Sequence, residues 1–202
     1  MTARVKTLSL IAGLAIVLGL ILALSRPWSN GPAPQQVQQS ADNLAADEGA
    51  PIAAGEMAKP FTLTNLQGEK VSMASLRGKV VFLNIWATWC GPCREEMPSM
   101  EKLYERMHNQ PGFVMLAISQ DTGGRKLVAD YVKRHGYHFE VLLDPTNKVA
   151  DAYDITGVPE TFIIGRDGRI VAHHAGAFNW AKPDVRTALD ELLADHKGAQ
   201  KG

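Results

Sequence analysis

The stretch Val80–Cys93, which reads VVFLNIWATWCGPC, decides the fold. Apart from Asn84, residues 80–86 are apolar and mostly β-branched or aromatic, a composition that favours a buried β-strand. The stretch ends in two cysteines, and the following residues Arg94–Met97 favour a helix. We therefore predict a strand, a tight turn and a helix N-terminus, with the cysteines at the junction.

Cys90 and Cys93 are the chain's two cysteines. Cys90 is expected at the first turn of the helix, where unpaired backbone N–H groups and the helix dipole stabilise a thiolate. Cys93 follows within disulfide reach, while Gly91 leaves no side chain over the sulfur and Pro92 fixes one backbone angle. The predicted reaction is thiol–disulfide exchange, in which Cys90 attacks a substrate disulfide and Cys93 resolves the mixed disulfide. No cofactor is expected besides this redox-active pair.

Two other uses of the cysteines are less favoured. A structural zinc site takes four ligands, but the chain has no second cysteine pair, and His173 and His174 are adjacent rather than spaced as ligands. No metal is therefore expected. A purely structural disulfide is also disfavoured, because closing so short a loop removes little chain entropy.

The longer run Leu76–Pro98, LRGKVVFLNIWATWCGPCREEMP, resembles the TlpA/ResA-like family of membrane-tethered, extracytoplasmic thiol–disulfide oxidoreductases. This family is a branch of the thioredoxin superfamily and is related to cytochrome c maturation proteins. The resemblance covers about residues 57–196 and implies a thioredoxin-like α/β fold. Such a fold has a central mixed sheet flanked by helices, here with an N-terminal β-hairpin and a central insertion. The resemblance also implies that Trp89, Gly91 and Pro92 contact the substrate.

A second motif, Gly157-Val158-Pro159-Glu160, precedes an apolar strand. It resembles the cis-proline loop of thioredoxin-like folds, which implies that Pro159 lies against Cys90 and that the backbone of Val158 pairs with an extended substrate peptide. Glu160 is similar to an acidic residue of the cytochrome c maturation branch. It could select partners or oppose ionisation of a cysteine by like charge. The alternative is a solvated loop acid.

Glu96 follows Cys93 by one helical turn and shares its face. The resemblance implies a functional glutamate here, which could carry the proton that leaves Cys93. The alternative is that this acid only favours an early helical turn. Asn84 stands six residues before Cys90, where thioredoxins carry a buried aspartate. An amide cannot take up a proton, so another group must serve.

The remaining pattern predicts alternating strands and helices. A hairpin is expected from Phe61 to Met73, and the run Phe113–Ser119 favours a buried strand. A helix over residues 125–134 and a strand over 139–143 form the implied insertion. The strand over 139–143 is expected to pair in parallel with the strand Phe113–Ser119. Later elements are a short helix over 147–153, strands over 161–164 and 170–172, and a final helix over 180–194.

The N-terminus predicts membrane attachment. Residues 8–24 carry no charge and reach the length of a membrane-spanning helix, so residues 1–25 are interpreted as a signal-anchor. Arg4 and Lys6 would remain in the cytoplasm. Cleavage after the small residues near Ala23 is the alternative. Residues 26–56, rich in Pro, Gln and Ala, predict a flexible linker, and residues 57–202 predict the thioredoxin-like domain.

The predicted protein is a reductase of client disulfides in the periplasm, held in the bacterial inner membrane or released by cleavage. Gly91 and Pro92 between the cysteines resemble reducing thioredoxins. A membrane electron carrier and clients such as apo-cytochrome c or copper-site assembly factors are implied by the resemblance. A disulfide oxidase or isomerase, or a copper or haem carrier, are the alternatives. The 21 basic and 21 acidic residues balance, so charge gives no argument for nucleic acid.

Overall fold

The computed structural model describes residues 54–194 of the chain. A seven-stranded sheet forms its centre. The strands are β1 (Thr62–Asn65), β2 (Lys70–Ser72), β3 (Val80–Trp86), β4 (Phe113–Ser119), β5 (Glu140–Leu143), β6 (Glu160–Ile164) and β7 (Ile170–Ala175). The helices are α1 (Gly91–Met107), α2 (Arg125–His135), α3 (Lys148–Ala152) and α4 (Pro183–Ala194), with a 3-10 turn at Met73–Leu76.

The sheet is mixed, in the order β2-β1-β5-β4-β3-β6-β7. Strands β3, β4 and β5 are parallel to one another, while β6 and β7 continue the sheet antiparallel on one side and the β1–β2 hairpin does so on the other. The predicted mixed sheet, N-terminal hairpin and parallel strand pair are therefore confirmed. Helix α2 and strand β5 occupy the place of the implied insertion. Strand β5 lies between β4 and the hairpin strand β1.

Strand β3 separates two hydrophobic cores, because successive side chains of a strand point to opposite faces. Phe82 and Trp86 pack with α1, α2 and α4 on one face. Leu83 and Ile85 pack with α3 and the 3-10 turn on the other. All of β3 is buried, so the strand that leads to Cys90 is held on both sides.

Two boundaries differ from the prediction by more than one residue. The final helix begins at Pro183 rather than at residue 180, because a residue that precedes proline is disfavoured in helical conformation. Trp180 therefore lies in the segment between β7 and α4. Strand β7 continues to Ala175, so His173 and His174 pair with β6 instead of ending the strand.

The predicted signal-anchor lies outside the described residues, as does most of the predicted linker. At the linker's end, the backbone N–H of Gly55 donates to Ile170 and the carbonyl of Glu56 accepts from Ile170. The ordered domain thus includes these two residues. Between residues 54 and 194, no helix combines the length and the apolar character that crossing a membrane requires.

Candidate active site

The two cysteines lie where β3 gives way to α1. Cys90 caps the helix, and its Sγ accepts a 3.1 Å hydrogen bond from the backbone N–H of Cys93. The sulfurs are joined in a disulfide, with Cα atoms 5.3 Å apart. Cys90 is 4% exposed and Cys93 is fully buried, so Cys90 is the sulfur that an incoming group can reach. After reduction, the N–H groups of this helix end stabilise negative charge on Cys90.

The surface around Cys90 is formed by the residues predicted to contact the substrate. Trp89 is 65% exposed, which is high for a large apolar side chain. Gly91 is half-buried, and a side chain added there would meet open space. Pro92 is exposed. The three residues border Cys90, so their position agrees with the predicted role, which stays a prediction.

The Val158–Pro159 motif meets the cysteines from the neighbouring strand. The peptide bond between these residues is cis, as the resemblance implied. The carbonyl oxygen of Val158 lies 3.4 Å from Sγ of Cys90. The carbonyl of Pro159 accepts a 2.8 Å hydrogen bond from the backbone N–H of Gly176, which ties the loop to the end of β7. Two segments distant in sequence thus meet at one sulfur.

A groove opens beside this meeting point. It encloses about 410 Å³, and its lining includes Trp89, Ile155, Thr156, Val158 and Asp151 of α3. The groove therefore runs between the two motifs that the sequence singled out. Since Trp89 precedes Cys90 and the Val158 carbonyl lies 3.4 Å from its Sγ, the groove lies beside Cys90.

Glu96 is the buried acid of the site. It is 2% exposed, although it carries a carboxyl group. Its Oε1 accepts from the side-chain amide of Asn84 at 2.8 Å, and its Oε2 accepts from the indole N–H of Trp180 at 3.0 Å and from the backbone N–H of Phe178 at 3.3 Å. Burial raises the pKa of Glu96 from 4.5 to about 7, and the three hydrogen bonds oppose that rise. A carboxyl with this pKa can give and take protons near neutral pH.

Asn84 supports this acid from β3. Its Nδ2 donates to Glu96 and, at 2.9 Å, to the hydroxyl of Thr161. Among the described residues 54–194, nothing donates to its Oδ1, although that atom is buried. Position 84 thus carries an amide instead of an acid, and the buried acid is Glu96 of α1, which accepts a hydrogen bond from that amide. The Glu96 carboxylate is buried and hydrogen-bonded, so it has partners beyond those of an acid that only favours an early helical turn, and its part in the reaction stays a prediction.

Glu160 has a different environment from the one expected of a loop acid. It begins β6 and is 6% exposed, so the solvated alternative is wrong. Its Oε2 bonds to Nε2 of His173 at 2.8 Å, and the His173 ring stacks on Phe162 at a centroid distance of 4.4 Å. Phe162 belongs to the core on the sheet face opposite α1. Glu160 therefore follows Pro159 in the chain, but its carboxylate bonds to His173 on the sheet face opposite the one on which Glu96 lies.

The sequence reasoning missed Asp121. This residue is 3% exposed, and its carboxylate accepts from the backbone N–H of Thr88 at 2.9 Å, from the Thr88 hydroxyl at 2.6 Å and from the Ser119 hydroxyl at 2.8 Å. It thereby fixes the loop just before Cys90. The available signal was that Asp121 follows β4, whose carboxyl end adjoins that of the parallel strand β3.

Trp180 and Ser99 were missed as well. Ser99 accepts a 2.9 Å hydrogen bond from the backbone N–H of Trp180 and donates to the carbonyl of Phe178 at 3.2 Å. Both residues therefore connect α1 to the segment after β7. No local pattern pointed to them, because Ser99 and Trp180 are 81 positions apart.

The comparison with protein families agrees with this geometry. Residues 54–173, more than half of the chain, match the model of the AhpC/TSA family. The chain belongs to the AhpC/TSA family. It is also similar to ResA thiol–disulfide oxidoreductases. The ResA of Halalkalibacterium halodurans is 42% identical over 123 residues, which cover 61% of this chain and 69% of that protein.

Two further proteins support the same conclusion. The ResA of Bacillus subtilis is 38% identical over 121 residues, covering 59% of this chain and 66% of that protein. A crystal structure of a thiol:disulfide interchange protein of the thioredoxin family, from Chlorobium tepidum, superposes with a TM-score of 0.59 at 28% identity, covering 70% of this chain and 99% of that one. With the Cys90–Cys93 pair, these similarities give the chain a thioredoxin-like fold and thiol–disulfide oxidoreductase activity.

Proposed function

We propose that this oxidoreductase reduces disulfides of client proteins outside the cytoplasm. The observation that carries the proposal is the placement of three groups. Cys90 adjoins Trp89 and the Val158 carbonyl, which both line an open groove. Cys93 is fully buried, and Glu96, with a pKa of about 7, lies one turn further along the same helix. This order provides a nucleophile, a resolving thiol and a proton acceptor.

The reaction begins with the reduced pair. The Cys90 thiolate attacks one sulfur of the client disulfide, the client's other sulfur leaves as a thiolate, and a mixed disulfide forms. Cys93 then gives its proton to the carboxylate of Glu96 and attacks Sγ of Cys90. The second client thiolate leaves and takes up a proton. Two electrons have moved to the client, and Cys90 and Cys93 are joined as the structure shows them.

The client binds in the groove between Trp89 and Val158. We expect an extended peptide to lie there, with the backbone groups of Val158 and the exposed faces of Trp89, Gly91 and Pro92 as contacts. Pro159 offers no N–H beside the sulfur. For Glu160 we expect an indirect part, since its carboxylate is bonded to His173. In that role it supports the strand that follows Pro159.

The location rests on the sequence. The uncharged residues 8–24 and the preceding Arg4 and Lys6 support an anchor in the bacterial inner membrane, with the domain in the periplasm, or a periplasmic protein after cleavage. The periplasm is kept oxidising, so a reductase there needs electrons from a membrane carrier. Apo-cytochrome c and copper-site assembly factors are proposed clients. Both follow from the family resemblance.

The reduction potential of the purified full-length protein tests the direction of transfer. The protein is equilibrated against ratios of reduced to oxidised dithiothreitol, and the fraction in the disulfide form is measured by thiol labelling. A potential near the thioredoxin value of about −270 mV supports the reductase. A potential near about −120 mV, where disulfide donors lie, overturns the proposed direction and favours the oxidase alternative.

A further inference from the structure

The segment between β7 and α4 is docked along α1 by side chains of that helix. Ser99 bonds to both Phe178 and Trp180, as described above. About two turns further along α1, Arg106 donates a 3.0 Å hydrogen bond from Nη1 to the carbonyl of Ala181. The segment therefore has a fixed place on the helix that carries Cys93 and Glu96.

Trp180 is the centre of this segment. It is 2% exposed, and its ring meets Phe82 of β3 edge-on at a centroid distance of 4.9 Å. Its backbone N–H is held by Ser99, which leaves the indole N–H aimed at Oε2 of Glu96. The ring has little freedom to turn, because it is buried and contacts the rings of Phe82, His174 and Phe178.

Every group that bonds to the carboxylate is a donor. The indole of Trp180 can only donate, and so can the backbone N–H of Phe178. An ionised carboxylate accepts all of these bonds, whereas a protonated carboxyl group needs an acceptor for its own proton. The donors thus favour the carboxylate, against burial, which favours the neutral acid.

We propose that Trp180 is a positioning residue for the reaction: its indole N–H holds Glu96 in one buried orientation and favours the ionised form that accepts the proton of Cys93. This inference rests on the proposed role of Glu96. It assigns a function to the segment between β7 and α4, which contains none of the predicted site residues. Among the three hydrogen bonds to Glu96, that of Trp180 lowers its pKa most.

Other titratable groups surround this cluster. His174 of β7 contacts the rings of Phe178 and Trp180 at 4.7 and 5.8 Å. Lys182 lies over the Phe178 ring at 4.5 Å. On α1, the cysteines share the buried end of the helix, while Arg94 and Glu95 are exposed. A pH profile must therefore be tied to Glu96 by a variant that lacks this carboxyl.

The test follows the reaction of the reduced full-length protein with oxidised glutathione. Acid quenching and mass spectrometry give the rate at which the mixed disulfide is resolved, as a function of pH. The variants are W180F, E96Q and the double variant W180F/E96Q. W86F is the matched control, since Trp86 is also fully buried on the α1 face but its Nε1 finds no acceptor among the described residues.

The expected result is that W180F moves the pH midpoint of resolution upward by about one unit, whereas W86F does not. In the E96Q background, W180F should cause no further shift. A midpoint of W180F equal to that of the unmodified protein overturns the inference, while a normal rate and profile of E96Q overturn the proposed role of Glu96 itself.

If W180F does not fold, S99A decides the question. Removal of the Ser99 hydroxyl releases the backbone N–H of Trp180 but leaves the indole in place. We therefore expect a smaller upward shift of the pH midpoint than in W180F. An unchanged midpoint in S99A contradicts the inference in the same way.

Discussion

The side-chain amide of Asn84 donates a 2.8 Å hydrogen bond to the carboxylate of Glu96, and both groups are buried. Asn84 occupies the strand position at which thioredoxins have a buried aspartate. The acid here comes from α1 instead, one turn after the resolving cysteine. Residues three apart on a helix are neighbours, so the proposed proton acceptor lies on the same helix as Cys93.

The first prediction concerns this acid in the reaction. Replacement of Glu96 by Gln keeps the size of the side chain but removes the proton acceptor. We expect resolution of the mixed disulfide to slow by about 100-fold above neutral pH and to lose the transition centred at a pH of about 7. Rapid-quench kinetics with oxidised glutathione measure both effects. The control variant E95Q, which changes the exposed neighbouring acid, should behave like the unmodified protein. Unchanged kinetics of E96Q between about pH 5 and about pH 9 would contradict a role of Glu96 in proton transfer.

The second prediction concerns stability in the disulfide form. The pKa of Glu96 is about 7 when folded and 4.5 ordinarily. Between these values the unfolded chain has lost the proton that the folded chain keeps, so the free energy of unfolding falls as pH rises through this window. The total loss is about 3 kcal/mol.

Urea unfolding of the oxidised protein at several pH values measures this effect. The E96Q variant lacks the titrating group, so its stability relative to the unmodified protein should increase from acid to neutral pH and then level off. An equal pH dependence of the two proteins contradicts the assignment.

The third prediction separates the two cysteines. Cys90 is 4% exposed beside the groove residues Trp89 and Val158, whereas Cys93 is fully buried. We expect C93S to accumulate a stable mixed disulfide with a peptide disulfide, because the resolving thiol is absent, and C90S to form very little adduct. Intact-mass measurement of each variant shows the adduct. Rapid adduct formation by C90S contradicts the proposed order of attack.

The fourth prediction concerns Asp121, which holds the loop before Cys90. D121A leaves the N–H and hydroxyl of Thr88, a half-buried residue, without their acceptor, at a cost of about 1–3 kcal/mol in the free energy of unfolding. We also expect slower attack by Cys90 on oxidised glutathione. The matched control is D144A, since Asp144 is buried at the end of β5 and holds the backbone N–H groups of Lys148 and Val149. D144A should lose stability but keep the attack rate, and an equal loss of rate in both variants contradicts a local effect.

The fifth prediction concerns the buried pair of Glu160 and His173. E160A leaves the imidazole of His173 without its 2.8 Å partner, and we expect a loss of about 1–3 kcal/mol in the free energy of unfolding. E160Q retains a group that can bond to the ring and should be milder. Neither variant should change the pH profile of attack by Cys90 on oxidised glutathione. A changed profile in E160Q supports instead the like-charge effect on the thiols.

The local chemistry could be predicted from the sequence. Short separations within one strand–turn–helix unit place Cys90 at the helix N-terminus, Cys93 one turn later and Glu96 one further turn along. The buried strand β3 and the β1–β2 hairpin likewise follow from neighbouring residues. Glu96 and Pro159 required the family resemblance as well, since spacing alone left their roles open.

The tertiary structure decided what surrounds that chemistry. Trp180 reaches Glu96 from 84 positions away, and Asp121 reaches Thr88 from 33. Burial, not residue type, raises the pKa of Glu96. Such contacts depend on which strands adjoin and how a connecting segment docks on a helix. Disulfide exchange could be predicted from the order of the residues alone. How the Glu96 carboxylate is held depends on the packing of distant segments, because burial and hydrogen-bond partners exist only once the chain has folded.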